Sequence, residues 1–354
     1  PKVITVDLGN EMYAGNTLSI SRTLAKEMEE NLRRGEQTIL FMNRRGHSSY
    51  IACPKCKYVY RCPNCGIALN FHASDGLLHC HYCNHTEKAP TSCRDCGTET
   101  LRYSGTGTQK VEEQIKKLFP EIKLLRMDAD SISGKNGRDE ILTAFGSGEY
   151  DVLLGTQMIT KGLDFPNVTL VGVLNADGLL YSSDFRAYER TFSLITQVTG
   201  RAGRAEKQGR AVVQTYSPAH EVLKFAYGQD YTGFYEDQIK LRKTLLYPPF
   251  CDICQVVFTA PGEENAFAAA DRFIENTASL LEKEENSAIK MSIIKPRATS
   301  VPLVDGKSRV RILIKCRDDK KTRALVSEVY DGFIKNKENK GVGVAVDMNP
   351  LTIL

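Results

Sequence analysis

Eight cysteines stand in four Cys-x-x-Cys pairs: Cys53/Cys56, Cys62/Cys65, Cys80/Cys83 and Cys93/Cys96. A Cys-x-x-Cys turn sets two thiolates on one side of a tight knuckle, and two knuckles complete a tetrahedral zinc site. Eight ligands therefore make two closed four-cysteine sites with structural Zn²⁺. Four tandem pairs without a preceding βαβ pattern argue against thioredoxin-like redox chemistry. His79, His81 and His85 lie near enough to compete as ligands, but eight cysteines leave them as neighbours or surface residues. Pairing adjacent knuckles would need very short loops. The stretch 66–79 between Cys65 and Cys80 is near zinc-ribbon spacing, which favours nesting. Cys53, Cys56, Cys93 and Cys96 would then form one site, and Cys62, Cys65, Cys80 and Cys83 the other. Both pairings stay open at this level. A fifth pair, Cys251 and Cys254, opens an apolar strand with no partner knuckle and reads as two core cysteines.

A second group of residues suits phosphate. Gln197-Val198-Thr199-Gly200-Arg201-Ala202-Gly203-Arg204 places two arginines three apart among glycines. Arginine offers a planar fork of donors that stays charged, and glycine lets a backbone or ligand approach closely. Alone, such a stretch reads as a surface turn at a helix end. Upstream, Gly155-Thr156-Gln157-Met158-Ile159-Thr160-Lys161-Gly162-Leu163-Asp164-Phe165 follows the apolar run 152–154. In α/β sheets ligands gather at the carboxyl ends of strands. Thr156, Gln157 and Lys161 can contact a sugar-phosphate backbone, and Asp164 could hold a ribose hydroxyl or position an arginine. The turn Asn43-Arg44-Arg45-Gly46 adds basic residues. Gly105-Thr106-Gly107-Thr108 leads a helix N-terminus, where backbone amides suit a phosphate.

The elements that must position these residues alternate. Strands are expected near 1–7, 38–42, 123–127, 151–154, 168–174 and 211–215. Between them, Ser21 caps a helix carrying Leu24, Met28 and Leu32, and further helices cover 111–119, 138–145 and 186–199. Strands alternating with helices imply a parallel sheet covered on both faces. The cysteine segment, 51–97, is then an insertion into a lobe of 1–50 and 98–235. From 236 to 354 the order becomes β-α-β-β-α-β, a small ferredoxin-like α+β domain, after the stiff junction Tyr247-Pro248-Pro249-Phe250. The formal net charge of +4 permits a nucleic-acid partner without demanding one. No apolar run approaches a membrane span, and clustered metal-type cysteines without a signal peptide point to the cytoplasm. A start without Met inside an apparent strand suggests a piece of a longer protein.

Taken together and in this order, the two loops resemble the second motor lobe of superfamily 2 helicases. The resemblance is strongest to the PriA family of bacterial primosomal DNA helicases. It runs through 40–46, the four knuckles, 105–112, 154–166, Asp184-Phe185-Arg186, 197–204 and Tyr247-Pro248-Pro249-Phe250. It implies a RecA-like lobe 2, an inserted two-zinc module and a C-terminal domain like that of ribosomal protein S10. It also implies ATP-dependent 3′→5′ unwinding with Mg²⁺ in the full-length protein, at stalled or branched forks, and primosome assembly for replication restart. By position, 155–164 resembles motif V, which couples DNA contacts to nucleotide state. Residues 197–204 resemble motif VI, whose arginines reach the γ-phosphate. Arg201, Arg204 and Gln197 take the catalytic roles, with Arg204 the preferred arginine finger. Gly162, Asp164, Gly200 and Gly203 approach the nucleotide. Arg44, Arg45, Thr106, Thr108, Thr156, Gln157 and Lys161 are the lobe's candidate DNA contacts.

The stretch from Lys295 to Arg311 reads as a basic loop, with Arg309 and Arg311 as candidate DNA contacts; a plain solvated loop fits equally well. The resemblance also implies partners: forked and single-stranded DNA, the acidic tail of single-stranded DNA-binding protein, and helicase-loading proteins. Lys320, Lys321 and Arg323 could serve an acidic peptide. No Gly-x-x-x-x-Gly-Lys-Ser/Thr loop and no Asp-Glu-x-His motif occurs; Gly306-Lys307-Ser308 imitates the former but reads as a hairpin turn. The chain alone is therefore expected to be an inactive ATPase. Two rivals are a non-catalytic zinc-stabilised scaffold for branched DNA and an RNA-acting superfamily 2 helicase.

Overall fold

The computed structural model describes residues 2–42, 50–72, 75–80, 83, 85–103, 108–127, 137–155, 165–182, 184–201 and 209–353. The chain divides into two compact units, 1–60 with 90–182 and 186–235, and 61–89 with 183–185 and 236–354. The cysteine-rich segment contributes to both.

The first unit is built on a six-stranded sheet in the order Lys2–Asp7, Arg210–Thr215, Val168–Val173, Gln37–Phe41, Val152–Gly155, Leu124–Met127. Every pairing in it is parallel. The central strands are apolar on both faces: Val168–Val173 is buried throughout, as a sheet covered by helices requires. The helix Arg22–Arg33 begins where the Ser21 hydroxyl accepts from the Leu24 amide at 3.1 Å, and it buries Leu24 and Met28 completely. Asn31, on the same helix and fully buried, donates to the Gln37 carbonyl and so fixes the helix to the next strand. Arg210 braces the same helix through Glu27 at 2.6 Å. The short helices Leu8–Tyr13 and Asp177–Leu180 carry no periodic signal and were not expected.

In the second unit the order β-α-β-β-α-β is found: strands Asp252–Ala260, Ser292–Val304, Lys307–Cys316 and Gly343–Met348, and helices Glu263–Leu281 and Lys320–Lys335. The antiparallel sheet runs Ser292–Val304, Lys307–Cys316, Asp252–Ala260, Gly343–Met348. Phe258, Phe273 and Phe333 meet under the helices with ring centroids 5.5 to 5.8 Å apart. Asp305 and Gly306, at φ +50° and +72°, form the two-residue turn between the middle strands. Gly306-Lys307-Ser308 is thus a hairpin, as expected.

That hairpin corrects the basic loop. Lys295 to Arg311 lies almost wholly in two paired strands. Arg311 alternates with the core residues Val310 and Ile312 and so lies on the sheet face away from the helices, yet it is only 4% exposed, and this burial removes it from the candidate DNA contacts. Arg309 is half-buried opposite Thr259. Cys254 joins the core, but Cys251 stands outside it, half-exposed, three residues away and before the strand begins. No helix among the described residues is long and apolar enough to cross a membrane.

At Gly172 the helix Arg22–Arg33 packs closely on the sheet. Gly172 pairs with Leu40, and a Cβ there would stand 2.7 Å from Leu40 Cδ2 and 3.1 Å from Leu24 Cδ1. Both leucines are fully buried and have no room to retreat. Gly172→Ala is therefore expected to cost about 1–3 kcal/mol. Thermal unfolding followed by circular dichroism checks it; an unchanged midpoint would contradict the close packing.

Candidate functional site

Each knuckle is a backbone device before it is a ligand set. The first cysteine's amide donates to the carbonyl five residues on: Cys53 to Tyr58, Cys62 to Ile67, Cys80 to His85 and Cys93 to Thr98, at 2.7–2.9 Å. In the three whose following residue is described, the residue after the second cysteine donates back to the first cysteine's carbonyl and takes a positive φ. These residues are Lys57 (+67°), Gly66 (+68°) and Gly97 (+71°). Glycine fits that conformation without cost. Lys57 adopts it as a side-chain residue, and its Nζ is held by Asp7 Oδ1 at 2.7 Å and by the Pro54 carbonyl at 2.9 Å. Asp7 in turn caps the helix Leu8–Tyr13.

The four sulfurs of Cys53, Cys56, Cys93 and Cys96 lie within 4.8 Å of one another, as do those of Cys62, Cys65, Cys80 and Cys83. The grouping is nested. The outer set belongs to the first unit, where strands Ile51–Ala52 and Arg102–Tyr103 pair at the base of the segment. Tyr60, fully buried, closes it further: its hydroxyl donates to the Ser92 carbonyl at 3.1 Å and accepts from the Arg94 amide at 3.0 Å. The inner set belongs to the second unit, with a three-stranded sheet of Asn70–His72, Leu77–His79 and Thr86–Lys88. His79 is bound to Asp75 at 2.7 Å and its ring meets that of His72 at a 44° tilt, while His85 supplies a backbone acceptor. His81 lies outside the described residues.

The clusters fit a metal ion. Cross-knuckle sulfur separations are 3.4–3.6 Å, far from a disulfide bond. A tetrahedron with metal–sulfur distances of about 2.3 Å has edges of about 3.8 Å. The protonation demands agree. In the inner set, hydrogen bonds from its neighbours hold Cys62 low, and the same contacts push Cys65 and Cys80 up. In the outer set, burial raises Cys53 and Cys56, and the Thr98 amide lowers Cys96 to about 7. Four thiolates this close repel one another, and a bound dication offsets that repulsion and lets all four serve as ligands.

Around the inner centre stands a contact that sequence reading missed. Tyr247, read as part of a junction, is buried and donates its hydroxyl to the Cys65 carbonyl at 3.2 Å. Phe185 stacks on Tyr247 with centroids 5.0 Å apart and planes 10° apart. Arg242 lies over the Phe185 ring at 5.1 Å, and Lys315 lies 4.5 Å from the Tyr247 ring centroid. The Asp184-Phe185-Arg186 and Tyr247-Pro248-Pro249-Phe250 stretches therefore meet in one cation–aromatic stack. The aromatic residues in both stretches were the available signal.

The helicase-like residues are placed only in part. Gln197 and Gly200 are exposed on the helix Ala187–Arg201, which ends on the first of the two arginines. Thr108 is the first residue of the helix Thr108–Leu118 and is buried. Arg44, Arg45, Thr106, Thr156, Gln157, Lys161, Gly162, Asp164, Gly203 and Arg204 lie outside the described residues. In sequence, 43–49 come after the strand Gln37–Phe41 and 156–164 after Val152–Gly155, two strands that pair in parallel.

The knuckle glycines give a graded test. Gly97→Ala meets open space, so its cost is backbone strain alone, about 1–2 kcal/mol. Gly66→Ala adds a contact with Leu245 Cδ1 at 3.1 Å and is expected to cost more. Thermal midpoints of the two metal-loaded variants check the order; equal midpoints would contradict it.

Comparison with known proteins gives three family matches. Residues 93–206 match the helicase conserved C-terminal domain, 62–88 the PriA DNA helicase cysteine-rich region, and 243–351 the primosomal protein N C-terminal domain. Replication restart protein PriA of Bacillus subtilis is 41% identical over 100% of this chain and 43% of its own length. The protein of that name from Synechocystis is 38% identical over 89% of this chain and 38% of its own. The chain thus spans less than half the length of these relatives. Among solved structures, RecG bound to a three-way DNA junction is similar at a TM-score of 0.35 and 13% identity, over 68% of this chain and 22% of that one, too low to bear on function. With a helicase C-terminal lobe, a PriA cysteine-rich region and a primosomal C-terminal domain in succession, the chain belongs to the PriA family of replication restart proteins.

Proposed function

We propose that the chain supplies the second motor lobe, a two-zinc module and the C-terminal domain of an ATP-dependent 3′→5′ DNA helicase. That enzyme recognises stalled or branched forks and begins primosome assembly. The observation that carries the reading is a PriA-type cysteine-rich region at 62–88 in a chain matched from 93 to 206 as a helicase lobe. The sheet supports it: the strands that precede Arg44/Arg45 and Thr156–Asp164 in sequence are adjacent and parallel, and α/β folds bind ligands at the carboxyl ends of such strands. Thr156, Gln157 and Lys161 then contact DNA backbone. Arg201 and Arg204, with Gln197, complete an ATP site together with a first motor lobe that carries the Mg²⁺ and phosphate-loop residues. Gly162, Asp164, Gly200 and Gly203 leave room for the nucleotide.

Both cysteine sets hold structural Zn²⁺, the ion that four thiolates in closed tetrahedral geometry select. Branched and single-stranded DNA, the acidic tail of single-stranded DNA-binding protein and helicase-loading proteins are the partners of this reading, in the cytoplasm. Arg309 remains a candidate DNA contact on the C-terminal domain.

ATP hydrolysis by this chain alone is expected at background, since no phosphate-loop motif occurs in its sequence. In the full-length protein, Arg204→Ala is expected to lower the hydrolysis rate by about 10³–10⁵. Turnover by the chain alone, or a full-length Arg204→Ala protein at native rate, would overturn the motor assignment. Binding by this chain to a forked DNA above duplex DNA and RNA, at one fixed salt concentration, is the matching outcome for the substrate.

A further inference from the structure

The inner cysteine centre and the C-terminal sheet belong to the same compact unit. One face of that sheet, carrying Val256, Phe258, Val310, Ile312 and Ile314, packs against its helices. The alternate residues of the strand Lys307–Cys316 therefore look the other way, and they include Lys315.

From the neighbouring strand, Arg297 donates through Nη1 to the Cys80 carbonyl at 2.5 Å. Lys315 donates to the Leu245 carbonyl at 2.9 Å and underlies Tyr247, which donates to the Cys65 carbonyl. Both knuckles of the inner centre are thus gripped by their carbonyl oxygens from outside the ribbon. Four thiolates around a dication leave a net charge of about −2. A charge of that size in a partly desolvated place needs cations beside it. In the outer centre the knuckle lysine, Lys57, is already committed to Asp7.

We propose that the C-terminal sheet completes the inner metal centre, with Arg297 and Lys315 as positioning residues that offset its excess negative charge and clamp its knuckles. The inner ion is then retained by a domain remote in sequence, and the outer ion is not. This rests on the reading of both cysteine sets as zinc sites, and it is independent of the helicase assignment.

The test is zinc release from the full chain into excess chromophoric chelator. In Arg297→Gln, Lys315→Met and the double variant, one ion per chain is expected to leave about 10–100-fold faster, the usual scale of an outer-shell loss. The other ion leaves at the native rate and serves as the internal control for folding. A Cys93→Ser, Cys96→Ser background, which removes the outer site, assigns the accelerated ion to the inner one. Arg297→Lys, which keeps the charge, recovers most of the retention. Native rates for both ions in the double variant, or equal acceleration of both, would overturn the proposal. A native chain that binds fewer than two ions would overturn the zinc reading and this inference with it.

Discussion

Four sulfurs held within 4.8 Å cannot all be charged unless a cation lies among them, and the chain imposes that condition twice. Much of the local structure follows from meeting it. Each knuckle bends its backbone so that two sulfurs converge, and the bends at Lys57, Gly66 and Gly97 use positive φ. The paired strands at Ile51–Ala52 and Arg102–Tyr103, with Tyr60 clasped between Ser92 and Arg94, bring the outer knuckles together. Metal binding and local folding are then one equilibrium, because the ligands of each set come from distant points in the chain.

The nesting also distributes the segment. The outer set is folded with the parallel sheet and the inner set with the C-terminal domain. In the second unit the stack of Lys315, Tyr247, Phe185 and Arg242 gathers residues from three separate stretches of sequence. Cation–aromatic contacts of this kind contribute about 0.5–2 kcal/mol each, more when desolvated. Tyr247 joins that stack to the Cys65 knuckle, so packing in the C-terminal domain and metal geometry bear on the same side chain.

Local periodicity made most of the fold legible. Leu24 and Met28 behind Ser21, and the apolar runs at 152–154 and 168–173, are patterns that one helix face or one buried strand produces directly. The order β-α-β-β-α-β likewise came from alternation, and the cysteine grouping from loop length. What was hidden depends on contacts between distant residues. Arg311 is basic and stands two residues from Arg309, yet the folded chain buries it. Arg297 looks like a solvated loop charge until a cysteine carbonyl more than two hundred positions away accepts its hydrogen bond. Tyr247 reads as punctuation beside two prolines, because nothing local announces that its hydroxyl reaches Cys65. The motor residues were recognisable through the resemblance of 155–164 and 197–204 to helicase motifs, whereas spacing alone marks them only as phosphate-friendly loops.

X-ray absorption at the zinc edge on the purified chain tests most directly the claim that two nested tetrathiolate centres organise the cysteine segment. The account predicts two ions per chain, each with four sulfur neighbours at about 2.3 Å and no nitrogen or oxygen in the first shell. One ion per chain, or a first shell containing histidine nitrogen, would contradict it.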